Sequence, residues 1–179
     1  DFRMKEQLKA MPENGTAPLL YPCHFKGQNI QWPIEGGKKP NAISCNNDTQ
    51  KWLYPNGFYT VVRRFSSKEE RRRIVASTVD PAVFGATEKL GFENHLNVFH
   101  SNKEPLQEEL ARGLSVYLNS TAVDDAFRRF SGHTQVNATD LRLLKYPSRK
   151  ALIELGEWAM KQGKLTQDMI DEKMERISE

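Results

Sequence analysis

Cysteine, long apolar runs and glycine-rich loops are scarce in this 179-residue chain. The two cysteines, Cys23 and Cys45, form no CxxC spacing. That argues against a structural zinc site and leaves two free thiols, expected to be buried in a protein of a reducing cytoplasm. No apolar run approaches the ~20 residues that span a bilayer, and no signal-peptide pattern occurs, so no membrane partner is expected. The chain opens on Asp1 rather than Met, as expected of a piece of a longer protein. Gly36-Gly37 is its one adjacent glycine pair. The pair lacks the strand–turn–helix setting of a nucleotide or methyl-donor pocket, so no cofactor is expected on these residues. Walker, HExxH and GxSxG signatures are missing too. The histidines are His24, His95, His100 and His133. His95 and His100 are five apart in a strand pattern and face opposite ways, which is wrong for a metal pair. No catalytic or metal-ligating residue is assigned.

Hydrophobic residues at 38% and charged residues at 27% describe a globular chain. Its net charge is only +3, unevenly placed. Residues 63 to 73, RRFSSKEERRR, hold Arg63, Arg64, Lys68, Arg71, Arg72 and Arg73 against Glu69 and Glu70. Residues 150 to 179 hold five basic and seven acidic groups. A concentrated basic run suits a phosphate backbone, although a solvated, Arg-rich hairpin has the same composition.

Residues 1 to 11 read as a helix end or linker stopped by Pro12. LLYPCHF (19–25) and NIQWP (29–33) are strand candidates around a turn at Lys26-Gly27-Gln28. EGGKKPNAIS (35–44) reads as a loop because of Gly36, Gly37 and Pro40. FYTVVRRF (58–65), IVASTV (74–79) and HLNVFH (95–100) read as three strands of one group, with the basic run at the first connection. From Gln107 the period turns helical, with Leu110, Leu114, Tyr117 and Leu118 on one stripe. Thr121 with Asp124 resembles a capping box for a second helix burying Val123, Phe127 and Phe130. Ser148 caps a helix that ends at Gly163, and Thr166 caps a last one. The aromatics Trp32, Trp52, Trp158, Phe58, Tyr59, Phe65, Phe127 and Phe130 are expected in the core. The fold expected is α+β: a mixed or antiparallel sheet with flanking helices over residues 1–148, then a C-terminal helical hairpin over 149–179.

Three segments carry a family resemblance: KPNAISCNNDTQKWLYPNGFYTVVRRFSSKEERRRIVAS (39–77), GFENHLNVFH (91–100) and LARGLSVYLNSTAVDDAFRRFSGHTQVNATDLRLLKYPS (110–148). They resemble the C-terminal target-recognition domain of Type II adenine-specific DNA methyltransferases of the TaqI-like class, found in restriction–modification systems. The most specific block, SGHTQVNATDLRLLKYP (131–147), is similar to one shared with Type I specificity subunits; it holds Gly132, Gln135, Asn137, Leu141, Leu144 and Pro147. The resemblance implies a domain that reads double-stranded DNA in the major groove. A missing N-terminal catalytic domain would flip out an adenine and methylate it with S-adenosylmethionine. The NPPY or DPPY tetrapeptide of that catalytic half is absent here.

A duplex reader needs cations for phosphates and amide or forked side chains for base edges. Phosphate contacts are expected from Arg63, Arg64, Lys68, Arg71, Arg72 and Arg73, although one of the last three should face protein because strand residues alternate. Base-edge candidates are Lys38, Lys39 and Asn41 on the glycine loop, and His133, Gln135 and Asn137 on an extended segment. Asn137 also suits a helix cap, and Gln135 a tie to neighbouring backbone. Two other classes remain. A Type I-like specificity module would assemble with separate subunits and expose an apolar stripe on the terminal helices. A nuclease or hydrolase would use His133 and Asp140.

Overall fold

The computed structural model describes residues 2–132 and 134–178. His133, a base-reading candidate, lies outside the described residues. In chain order the strands are β1 (Leu8–Lys9), β2 (Thr16–Leu20), β3 (Phe25–Lys26), β4 (Asn29–Ile30), β5 (Ala42–Ser44), β6 (Leu53–Pro55), β7 (Tyr59–Arg63), β8 (Ala76–Val79), β9 (Lys89–Phe92) and β10 (Leu96–Phe99). The helices are α1 (Glu108–Leu118), α2 (Thr121–Phe130), α3 (Ala138–Arg142), α4 (Arg149–Met160) and α5 (Gln167–Ser178). The class is α+β, as expected.

The centre is an antiparallel three-stranded sheet in the order β10-β7-β8. It contains the three strands read from the sequence. Tyr59, Thr60, Val61 and Val62 of β7 are all buried, because this strand is covered on both faces. Tyr59 and Val61 pack with Leu20, Ile30, Val79 and Leu90. Val62 packs on the other side with Ile74, Ala76, Leu114 and Phe127. The Thr60 hydroxyl reaches the helix layer and donates to the Ala111 carbonyl at 2.7 Å.

A mixed five-stranded sheet in the order β1-β5-β2-β9-β6 flanks this centre, with β2 and β9 parallel. Part of the expected 35–44 loop is thus a strand: Ala42 and Ile43 of β5 are buried between β1 and β2. The expected 19–25 strand is split. Leu19 and Leu20 end β2, Pro22–His24 form a 3-10 turn, and β3 pairs with β4 across Gly27 and Gln28. Gly27 has φ +59°, which a side-chain-bearing residue rarely adopts.

The α2 cap is Ser120, one residue before the expected Thr121; its hydroxyl accepts from Val123 N at 3.4 Å. Thr121 is tied instead to Asp171 of α5, whose carboxylate accepts from its amide at 2.8 Å and its hydroxyl at 2.6 Å. Burial pushes the Asp171 pKa up, but the Thr121 and Gln167 hydrogen bonds outweigh it and the net shift is downward. Ser148 caps α4 as expected, accepting from Ala151 N at 3.1 Å. Ser148 marks a change of structure and charge, yet packing across it is continuous. Leu152, Leu155 and Ile170 share one apolar cluster with Leu110, Leu114 and Leu118. α4 lies hard against α1 through two glycines: a Cβ on Gly113 would collide with the Leu152 carbonyl, and one on Gly156 with the Glu109 carbonyl.

Candidate nucleic-acid interface

The basic run and the 128–147 block meet in space. After β7 the chain runs out alongside residues 134–136. The Ser66 amide donates to the Thr134 carbonyl at 3.0 Å, and the Val136 amide to the Arg64 carbonyl at 2.6 Å. Phe65 and Gln135 form an antiparallel bridge between them. Gly132 lies beside the Lys68 ammonium. Asn97 of β10 secures the same segment by donating to the Val136 carbonyl at 2.7 Å.

Arg128, near the end of α2, fixes the far side of the basic loop. Its Nε donates to the Asp124 carboxylate at 2.9 Å, and its other nitrogens to the Lys68 carbonyl at 2.9 Å and the Glu70 carbonyl at 2.7 Å. Asp124 is buried and also accepts from the amides of Arg73 and Ile74 at 2.8 and 2.9 Å. Burial raises its pKa, but these donors and Arg128 outweigh it, and the carboxyl is held below its usual range. The loop is therefore held in place before any ligand arrives.

Within this frame the six expected phosphate contacts separate. Arg71 and Lys68 are exposed. Arg64 is half-buried and donates to the Asn94 carbonyl at 3.4 Å. Arg63 pairs with Glu70, whose other oxygen accepts from the Ser67 amide at 3.1 Å. Arg72 donates to the carbonyls of Ile74 and Ser120 at 3.3 and 3.1 Å, so its guanidinium ties the loop to the α1–α2 junction. Arg73 corrects the expectation outright. It is 0% exposed, donates to Ser66 Oγ at 3.0 Å and the Ser131 carbonyl at 3.3 Å, and lies over the Phe127 ring at 5.2 Å. Burial pushes the pKa of both Arg72 and Arg73 down, against the pull of Asp124. Arg73 is the member of the triplet that faces protein.

The base-edge candidates separate as well. Asn41 is buried and fully committed: its side-chain oxygen accepts from His24 Nε2 at 2.8 Å and the Ile34 amide at 3.0 Å. Its amide group donates to the carbonyls of Ala10 and Ile34, each at 2.8 Å. It closes the 30–41 loop and cannot meet a base. Lys38 and Lys39 are exposed on that loop, with Lys39 5.7 Å from the Tyr21 ring; the loop leads into β5 of the five-stranded sheet and is separate from the basic loop. Asn137 stands at the N-cap of α3, where its amide donates to the Asp140 carboxylate at 3.3 Å. Gln135 is half-buried on the bridge beside Phe65.

A search against protein-family models finds no match, and no solved structure is similar. Two curated proteins are. Over 178 residues the chain is 54% identical to the Type II methyltransferase M.BsuBI of Bacillus subtilis. Over 172 residues it is 45% identical to the Type II methyltransferase M.PstI of Providencia stuartii. Its homologues are Type II methyltransferases. These alignments cover 99% and 96% of this chain but only 35% and 34% of the two relatives. The chain thus spans about a third of the length of these two curated relatives, and the similarity extends to residues 1–30 and the tail.

Sequence reasoning missed several residues at this surface. Phe65 and Phe130, expected in the core, are 42% and 44% exposed; Trp52 and the thiols Cys23 and Cys45, all expected to be buried, are also exposed elsewhere on the chain. Each phenylalanine directly follows paired arginines, Arg63-Arg64 and Arg128-Arg129; Phe130 closes α2 and Phe65 lies two residues beyond β7. That signal was legible: the burial pattern of an element is weakest at and just past its last residue. His95 was weighed only as a metal ligand. Its ring lies 4.8 Å from that of Phe65, and Glu93 fixes it through both its amide and its Nδ1. Among the described residues no three His, Cys, Asp or Glu side chains gather as a metal site.

Proposed function

We propose that this chain is the DNA target-recognition region of a site-specific adenine methyltransferase of a restriction–modification system. In this reading it binds double-stranded DNA, while the remainder of the parent enzyme binds S-adenosylmethionine and performs the transfer. The observation that carries the reading is the joining of the basic loop to the 131–137 segment in one pre-fixed surface. Arg71, Lys68 and Arg129 are exposed there, where they can neutralise phosphates at little ordering cost. Gln135, half-buried on the bridge to Phe65, is the described base-edge candidate that lies on this surface.

The residues here do not fit a pocket for the methyl donor. Gly36 and Gly37 lie between two strands, β4 and β5, with no helix following them, whereas such a pocket needs a glycine turn from strand to helix. No step of methyl transfer is assigned to this chain.

The test is equilibrium binding to random duplex DNA across a salt series. The log–log slope should shrink by about one for Arg71→Ala and by about one for Lys68→Ala, with folding unchanged. A folded chain that binds no duplex at low salt, or slopes untouched by both substitutions, would sink the reading.

A further inference from the structure

Phe65 is the least expected feature of the candidate interface. The ring is 42% exposed and, unlike the other exposed apolar side chains, stands against both Arg64 and His95. It is also held firmly. Its backbone is bridged to Gln135, the Arg64 guanidinium lies 5.9 Å from its centroid, and the His95 ring packs at 4.8 Å and 46°. His95 is fixed in turn, since Nδ1 contacts the Glu93 carboxylate at 2.6 Å and the His95 amide donates to it at 2.9 Å. In the tautomer that donates Nδ1–H to Glu93, the ring lone pair lies on Nε2. The surface therefore presents, side by side, one apolar ring and one hydrogen-bond acceptor, flanked by cations.

On the major-groove edge of one base pair, thymine offers an apolar methyl group and its adenine partner an amine donor. We propose that the Phe65–His95 pair reads a thymine–adenine pair, with the phenyl ring on the thymine methyl and His95 Nε2 accepting from the adenine amine. This rests on the reading of the surface as a DNA reader. Glu93 is a positioning residue in it, fixing which nitrogen of His95 faces outward.

The experiment selects preferred duplexes from a random library with the 179-residue chain. It then measures affinity after replacing each thymine by uracil and each adenine by purine. At one base pair, loss of the methyl should weaken the unmodified chain about fourfold. Phe65→Ser should abolish that difference, Phe65→Leu should retain it, and His95→Ala should abolish the penalty for losing the paired amine. Thermal melts of each variant confirm folding. A selected site indifferent to every thymine methyl, or a methyl penalty that persists in Phe65→Ser, overturns the assignment and leaves DNA recognition standing. Duplex binding with no selected sequence does the same. Absence of any duplex binding by the folded chain overturns both.

Discussion

Single polar residues in this chain divide by burial rather than by type. Asn41 and Arg73 look like surface ligands in the sequence, and both are core fasteners. The Asn41 side chain pairs with four polar groups inside the fold, so Asn41→Ala should cost about 3 kcal/mol through the unpaired groups it leaves, read from urea denaturation. Its partner His24 carries a pH signature. Its Nδ1 accepts from the Tyr21 amide at 2.9 Å, and burial depresses its pKa. As pH falls below about 6.5 the unfolded chain takes up a proton there and the folded chain resists it. Stability from this group is thus full above that pH and declines on acidification. The denaturation midpoint should drop between pH 7 and 5, and His24→Gln should flatten that drop. Arg73→Met should cost roughly 3 kcal/mol by stranding the Ser66 and Ser131 groups, and it should lower the melting temperature without changing a salt slope. Strand parity indicated that one of three consecutive arginines points inward. It could not say which, because residues 71–73 turn out to precede β8 rather than belong to it.

At the scale of elements, periodicity located β7, β8, β10, α1 and α4 because each carries a buried stripe or run long enough to register. It failed at β5, a three-residue strand next to Pro40, where turn-forming residues outweigh two buried apolar ones. It also misplaced the α2 cap, because adjacent Ser120 and Thr121 are equivalent as letters. Only the Asp171 carboxylate arriving from α5 separates their roles. Ser120→Ala should cost about 1 kcal/mol, and Asp171→Ala should loosen α5 from α2, seen as faster amide exchange at both. The contact between α1 and α4 is the tightest element-level feature. Gly156→Ala should cost at least about 3 kcal/mol because the new methyl meets backbone, which cannot swing aside as a side chain can. Denaturation of that variant beside Gly163→Ala, whose site is open, gives the comparison.

For the molecule as a whole, the basic and acidic ends of the sequence do different work. The acidic tail is not a solvated extension: Ile170 is 1% exposed and Gln167 donates to the Asn119 carbonyl at 2.8 Å. The basic loop is scaffolded by Asp124 and Arg128 of α2, which no local reading could pair with residues about fifty to sixty positions earlier. The site was therefore legible as composition and as a family-like block. Its geometry was not, because it depends on long-range hydrogen bonds. A chain ending at Ser148 should fail to fold cooperatively, since the α1 face bearing Leu110 and Leu114 would lose its cover; circular dichroism melts of both lengths decide it.

The glycine seam has one more consequence. Two backbones that meet so closely at Gly113 and Gly156 fit each other by shape, and Leu143, at 65% exposed, marks a surface link in the chain between them. Cutting the polypeptide between Leu143 and Ser148 would leave two pieces with matching surfaces. Co-expressed, they should reassemble without a covalent join, so this region of the protein could be split and its two halves used as a reporter of proximity.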